Sequence, residues 1–324
     1  MTTSDKILEY IIKNQPVSPK ELTGLGVSRA MIHRHLKKLQ TLKKIIKKGI
    51  APHVFYFSIN KPQQSQLSLA QEETDFIEEH FIYFEPSGNI LKGVFGFIRW
   101  ALKRNVLEKD LIKTATEYIK TVKKFQRYKG KDGLINGLPK LQKTFSQTFV
   151  DELYYCDFYS IERFGKTYLG NMLLYAKQGQ NKKLMKEIAI KIQPSISDLI
   201  QKHNISAIGF IPHSIQRNVQ LLEEIEKQLH IPLPSIHIIK ISGEVAIAQK
   251  TLSKLQDRID NAKNTLFVKE PHSYDTILLI DDAVGSGATL NEITKKVKEK
   301  NIAKKVIALA ITGSFKGFEV LSEI

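Results

Sequence analysis

Residues 277–290 read Ile-Leu-Leu-Ile-Asp-Asp-Ala-Val-Gly-Ser-Gly-Ala-Thr-Leu, and this stretch decides how the rest of the chain is read. Four consecutive apolar residues, Ile277 to Ile280, predict a strand buried on both faces. Asp281 and Asp282 follow at its carboxyl end, where open α/β sheets place their ligand crevice. Gly285, Ser286, Gly287, Ala288 and Thr289 then turn the chain into the start of a helix. Glycines let backbone N–H groups converge on an anion, the two hydroxyls add donors, and the helix dipole favours negative charge. Two carboxylates beside such a nest would repel an anion unless they had another task. Hydrogen bonding to two ribose hydroxyls, with Mg²⁺ held through the ligand, supplies that task. No Gly-Lys-Ser/Thr follows the glycines, which excludes a Walker A loop, and the acids precede the glycines, unlike a dinucleotide fingerprint.

Working outward, further strands are expected at Ala207–Ile211, Ile236–Ile241, Thr276–Ile280 and Val306–Ile311. Helices are expected from after Ser214 through Glu226 and over Asn291–Lys300. Strands separated by helices predict an α/β domain, residues 150–324, built on a parallel sheet.

On these residues, the chain resembles the type I phosphoribosyltransferases, whose phosphoribosyl pyrophosphate loop has the pattern of 277–290. The resemblance is to the ComF-type branch and spans about residues 160–315. Gly209-Phe210-Ile211-Pro212-His213-Ser214 with Arg217 resembles the family's pyrophosphate loop. Gln249, Leu252, Leu255, Arg258 and Asn261 resemble the branch's hood segment, and Leu173 to Gly179, with Lys177, resembles its upstream lysine-x-glycine stretch.

The resemblance implies ribose-phosphate binding by Asp281, Asp282, Ala283, Val284, Gly285, Ser286, Gly287, Ala288 and Thr289, and a pyrophosphate loop at Pro212, His213, Ser214 and Arg217. If the domain is catalytic, it implies that Asp281, Asp282, Arg217, Lys250 and Arg258 serve attack at ribose C1 as Mg-pyrophosphate leaves, with Lys254 a further cation. Mg²⁺ is the implied cofactor, carried by the ligand near Asp281 and Asp282 with no direct protein ligands. Two departures stand out. Gly285-Ser286 occupies the position often filled by paired threonines, and the branch's amino-terminal zinc ribbon is absent.

Residues 1–60 form a different module. They hold eleven Lys or Arg against Asp5, Glu9 and Glu21, a net +8 that is half of the chain's +16. A first helix capped by Ser4 or Asp5 carries Ile7, Leu8, Ile11 and Ile12 on one face. Ser18-Pro19 is expected to start a short second helix around Glu21 and Leu22. Ser28 caps a third with Ile32, Leu36 and Leu39 inward. A hairpin of Ile45-Ile46, a Lys47-Lys48-Gly49 turn and Val54–Phe57 completes the order of a winged helix-turn-helix, and the module resembles bacterial winged-helix regulators. Arg29, His33, Arg34 and Lys37 would face a major groove, while Lys38, Lys47 and Lys48, with Lys43 and Lys44, suit phosphates.

Between the modules, residues 61–68 are polar and read as a linker. Residues 69–149 read as a mainly helical middle segment, with helices over Ala70–Phe84 and Glu108–Arg127 and an aromatic, glycine-bearing stretch between them expected to pack as core.

Bulk properties bound the reading. No run approaches eighteen apolar residues, no secretory signal is expected, and the lone Cys156 excludes an internal disulfide and a cysteine-rich zinc site. The nine histidines lack metal-ligand spacing, so no zinc is expected. A cytoplasmic protein with polyanionic partners follows. Three functions remain open: a DNA-binding regulator sensing phosphoribosyl pyrophosphate or a nucleotide, an active phosphoribosyltransferase acting on a base or amine with the winged helix used for targeting, and a ComF-like DNA-uptake accessory. A homodimer would suit reading of two DNA half-sites.

Overall fold

The computed structural model describes residues 2–49, 51–58, 67–245, 247 and 249–316. Most of the expected linker, 61–66, and the side chain of Lys250 lie outside the described residues. The chain divides into two compact units, Met1–Gln66 and Leu67–Ile324.

The first unit comprises α1 (Thr3–Asn14), a 3-10 helix (Glu21–Leu25), α2 (Arg29–Thr41) and the strands β1 (Ile45–Lys48) and β2 (Phe55–Ser58). Ile7, Ile11, Leu22, Ile32, Leu36, Leu39, Ile45 and Tyr56 close one small core. Three local expectations need correction. Thr2, not Ser4 or Asp5, caps α1, because Asp5 at the third helical position reaches back to the Thr2 backbone in a reciprocal capping box. The second helix is a 3-10 turn, and Ser18 binds the Glu21 carboxylate (2.7 Å) instead of capping the backbone. Lys47 and Lys48 lie in β1 opposite Tyr56 and Phe55, so the turn begins only at Gly49. Ser28 caps α2 as expected, accepting from Met31 N–H at 3.4 Å.

The second unit opens with α3 (Gln71–His80), the hairpin β3 (Ile82–Phe84) and β4 (Ile90–Lys92), α4 (Gly93–Lys103) and α5 (Leu111–Gln126). The helix expected over Ala70–Phe84 therefore stops at His80. Glu85-Pro86-Ser87-Gly88 closes a turn through Gly88 N–H to Glu85 C=O (2.8 Å), and residues 82–84 pair with 90–92 instead. The aromatic stretch after it forms a helix, α4, with Phe97 in the core as expected.

There follow β5 (Ile135–Asn136), α6 (Leu138–Thr144), β6 (Glu152–Phe158), a small hairpin of β7 (Ser160–Ile161) and β8 (Gly165–Lys166), α7 (Tyr168–Gln178) and α8 (Lys182–His203). The remainder is β9 (Ala207–Phe210), α9 (Leu221–Leu229), β10 (His237–Lys240), α10 (Leu255–Thr265), β11 (Leu266–Lys269), β12 (Tyr274–Val284), α11 (Ala288–Glu299) and β13 (Ala303–Gly313). This is a mixed α/β unit on a five-stranded sheet in the order β5-β6-β13-β12-β9. β6, β13, β12 and β9 run parallel, and the short β5 joins the β6 edge antiparallel. The strand expected at 236–241 does not enter this sheet. It pairs antiparallel with β11 in a separate two-stranded sheet, in keeping with its one-sided burial.

Alternation along the central strands explains their unbroken apolar runs. Ile277 and Leu279 of β12, with Ala308 and Ala310 of β13, face a core shared with α11, α5 and α3. Leu278, Ile280, Ile307, Leu309 and Ile311 face the opposite core, formed with α7, α8 and α9. Both faces of this sheet are covered, so its own polar side chains can meet a ligand only at the strand ends.

Candidate functional site

The carboxyl end of β12 carries Asp281 and Asp282, and the strand continues through Ala283 to Val284 before the turn. Ile211 N–H donates to Ile280 C=O at 2.9 Å, so the Pro212–Arg217 loop leaves β9 directly beside the two acids. The acids are arranged unequally. Asp281 Oδ1 accepts the Asp282 backbone N–H at 2.8 Å, while the Asp282 side chain forms an ion pair with Lys177 at the end of α7. Burial, reinforced by the charge of Asp282, pushes the Asp281 carboxyl up to about 7. An acid held so far above its ordinary range gains from any hydrogen-bond donor or cation delivered to it.

Beyond the acids, Gly287 has φ +86° and stands as N-cap of α11. Only glycine takes that conformation without strain, and a Cβ there would also collide with Leu141 of α6. Ser286 Oγ accepts Ala288 N–H at 3.4 Å and tightens the entry to the helix. The amide groups of the first turn of α11 are thereby gathered at the end of β12, and Thr289 is half-exposed on that turn.

Arg258, from α10, reaches the same loop. One guanidinium nitrogen stands 3.6 Å from where a Cβ on Gly285 would be, and Arg258 Nε donates to Leu252 C=O at 2.8 Å. Gln249 in turn donates to Arg258 C=O at 3.1 Å, so Gln249, Leu252 and Arg258 form one connected segment with its guanidinium beside Gly285. Arg217, by contrast, donates to Ile215 C=O within its own loop (3.4 Å), and His213 is engaged by Gln216 (2.6 Å) and Glu223 (3.4 Å). These two are placed at the site but turned to local partners. Lys254 is exposed at the start of α10.

Two lysines at the site escape the sequence reading. Lys240, at the end of β10, donates to Ser214 Oγ (3.3 Å) and to Asn261 Oδ1 (3.5 Å), tying the 212–217 loop to α10, and burial lowers its pKa. Its position at the end of an apolar strand was the available signal. Lys140 on α6 is 8% exposed and donates to Ser314 C=O (2.9 Å), while Ser314 N–H bonds Val284 C=O (2.9 Å). Burial lowers this ammonium to about 8. Nothing in the local pattern of residues 138–144 marks that contact.

Cys156 is buried in β6 and its thiol is pushed up to about 12 by burial, as suits a packed side chain rather than a nucleophile. Among the described residues no group of three or more His, Cys, Asp or Glu could hold a metal ion. The donor set at the acids is two carboxylates, one of them already paired with Lys177. That set fits a cation brought by a ligand's own oxygens better than one caged by the protein.

In the first unit, Arg29, His33, Arg34, Lys37 and Lys38 of α2 are all exposed; Arg34, Lys37 and Lys38 lie on the side away from Ile32, Leu36 and Leu39, and Arg29 is exposed as the first residue of the helix. Lys47 is exposed, while Lys48 is half-buried with its ammonium 5.0 Å from the centre of the Phe57 ring. No helix among the described residues is long and apolar enough to cross a membrane.

No protein-family model and no curated protein sequence matches the chain. Among solved structures, it is similar to a hypoxanthine phosphoribosyltransferase from Staphylococcus aureus, at 12% identity and a TM-score of 0.23. The match covers 39% of this chain and 62% of that one, so the chain spans less than two thirds of its neighbour's length. So slight a likeness carries no weight beside the geometry of the site itself.

Proposed function

We propose that the second unit binds the phosphoribosyl end of phosphoribosyl pyrophosphate or of a nucleotide, and that this ligand is an effector of DNA binding by the first unit. One observation carries the reading. The Asp281–Asp282 pair sits at the carboxyl end of a buried parallel strand and runs directly into the Gly285–Thr289 turn and the N-terminus of α11. The acids accept the two ribose hydroxyls, and the turn receives the 5-phosphate. Mg²⁺, when bound through the diphosphate oxygens, would neutralise their charge. Asp281 and Asp282 would hold its hydration shell, and Lys177 is paired with Asp282.

The DNA reading rests on the exposed cations of α2 and on the helix, 3-10 turn, helix and hairpin order of a winged helix. Coupling requires that the ligand favour the DNA-competent state of the chain over the other. The test is a duplex selected from a random pool by the full chain, followed by fluorescence anisotropy with and without phosphoribosyl pyrophosphate and Mg²⁺. A change in affinity is expected, lost in Asp281→Asn/Asp282→Asn. Equal affinity at saturating ligand, with saturation shown separately by calorimetry, removes the effector role.

A second reading, an active phosphoribosyltransferase, is favoured by Arg258 beside Gly285 and Lys240 beside Ser214. Those are cations where negative charge would collect on a departing pyrophosphate. Pyrophosphate release with a panel of bases and amines, abolished in Arg258→Ala, would favour it over a purely sensory role.

A further inference from the structure

A cavity of about 300 Å³ lies between the β3–β4 hairpin, α4, α5 and α7, lined by none of the residues at Asp281–Thr289, Pro212–Arg217 or Gln249–Asn261. Its volume falls at the lower end of small-molecule pockets, about 300–1,000 Å³.

Its walls are aromatic. Phe81 meets Trp100 and Tyr118 edge-on, with centroids at 5.8 and 5.2 Å, and Phe164 closes the circuit at 5.7 Å from Trp100 and 5.3 Å from Tyr118. Phe81, Tyr118 and Phe164 are themselves buried and brace the cavity, which leaves Trp100, Tyr83, Tyr168 and Tyr175 as the lining rings open to a flat guest.

Lys103, Arg104 and Lys166 also line the cavity, and no carboxylate does. Arg104 is held in place: its guanidinium lies 4.9 Å from the centre of the Trp100 ring, and Nη1 donates to Arg163 C=O at 3.2 Å. A neutral apolar guest would use the walls and leave the cations idle. A small inorganic anion would do the reverse. A guest with an aromatic ring and an anionic group uses both.

We propose that this cavity is a second binding site, for a ring-bearing anion of the nucleoside monophosphate class. The proposal stands on the cavity and is independent of what the nest at 281–289 binds. Tyr175 lines the cavity while Lys177, two residues on along α7, reaches Asp282. Residues so spaced lie on different faces of a helix, which places the two sites on different sides of α7.

Trp100 is the chain's single tryptophan, so its emission reports on this cavity alone. The experiment titrates the full chain with AMP and GMP, with adenosine and inorganic phosphate as probes carrying one feature each. Dissociation constants are compared rather than intensities, because removing Arg104 itself alters the emission. A saturable change with a nucleotide is expected, at least about tenfold weaker with adenosine or phosphate alone. It should weaken at least about tenfold in Lys103→Ala/Arg104→Ala. It should stay within about twofold in Asp281→Asn/Asp282→Asn. Absence of any saturable change at millimolar nucleotide overturns the proposal. So does a change that survives loss of the two cations but vanishes with the two acids, which would put the nucleotide in the nest. Should the double variant fail to fold, Lys166→Ala, judged by the same titration, takes its place.

Discussion

Leu141 of α6 occupies the space that a Cβ on Gly287 would need. The glycine is thus required twice, by its positive φ and by a neighbour from a distant part of the chain. Gly287→Ala is expected to destabilise the second unit by roughly 1–3 kcal/mol. Ligand binding at the nest should be lost with it. Leu141→Ala removes the collision but not the backbone strain and itself empties part of the core, so in thermal melts the double variant should lose less than the two single losses added together.

The raised pKa of Asp281 has a definite sign in stability. Its folded value of about 7 lies above the ordinary 3.8. The native state therefore binds more protons between those two values, and stability falls as pH rises through that window. The full linkage is an upper bound of roughly 4 kcal/mol, reduced by coupling to Asp282 and Lys177. Asp281→Asn should raise the melting temperature at pH 8 and leave it nearly unchanged at pH 4. An equal gain at both values would contradict the assignment.

Ligand affinity should move the opposite way. If ribose hydroxyls donate to Asp281, binding strengthens as the carboxylate ionises, so affinity should rise between about pH 6 and pH 8. Lys177 lowers the Asp281 value by its charge. Lys177→Met should therefore displace the affinity profile to higher pH, as calorimetry across that range would reveal. A profile that keeps its midpoint while losing amplitude would assign Lys177 to ligand contact alone.

Lys140 is a cation buried against a backbone carbonyl, with a pKa near 8 against the usual 10.5. Here the unfolded chain binds more protons between those values, so the penalty is full below pH 8 and relieved by about pH 10.5. Lys140→Met is expected to stabilise the fold at pH 7 by about 1–3 kcal/mol, with the advantage shrinking toward pH 10. Chemical denaturation at the two pH values checks it.

For the first unit, the proposed DNA binding requires that removal of one cation placed for phosphates act through salt. Lys38→Ala is expected to flatten the dependence of log affinity on log salt by about 0.9 and weaken all duplexes alike. Arg34→Ala should instead relax the choice among duplexes.

The parts of this molecule that were legible from residues alone are those where chemistry and geometry are local. Ile277 to Ile280 is apolar on both faces, and the acids, glycines and hydroxyls after it follow without interruption, so strand, turn and helix start could be placed together. Arg258 was within reach only through the resemblance of Gln249, Leu252 and Arg258 to the hood segment of the ComF-type branch. β3 was absorbed into the helix expected over Ala70–Phe84 because Ile77, Phe81 and Phe84 repeat at helical spacing, and only the turn at Glu85–Gly88 breaks it. β6 escaped notice for a related reason. Its aromatic run, Tyr154 to Phe158, is buried on both faces and shows no simple alternation of apolar and polar residues. Leu141, Lys140 and Lys240 act through contacts that only the folded chain creates.

The sheet order carries a consequence for how the molecule is made. β13, the last strand in sequence among those described, lies at the centre of the sheet, between β6 and β12. Until it emerges during synthesis, β6 lacks its parallel neighbour and β12 exposes one edge. The strand ends around Asp281–Thr289 are therefore assembled late and all at once, through pairings distant in sequence and slow to form. The first unit closes its core within residues 7–56 and has no such wait. A nascent chain would present its exposed cations before it had completed the sheet proposed to govern them.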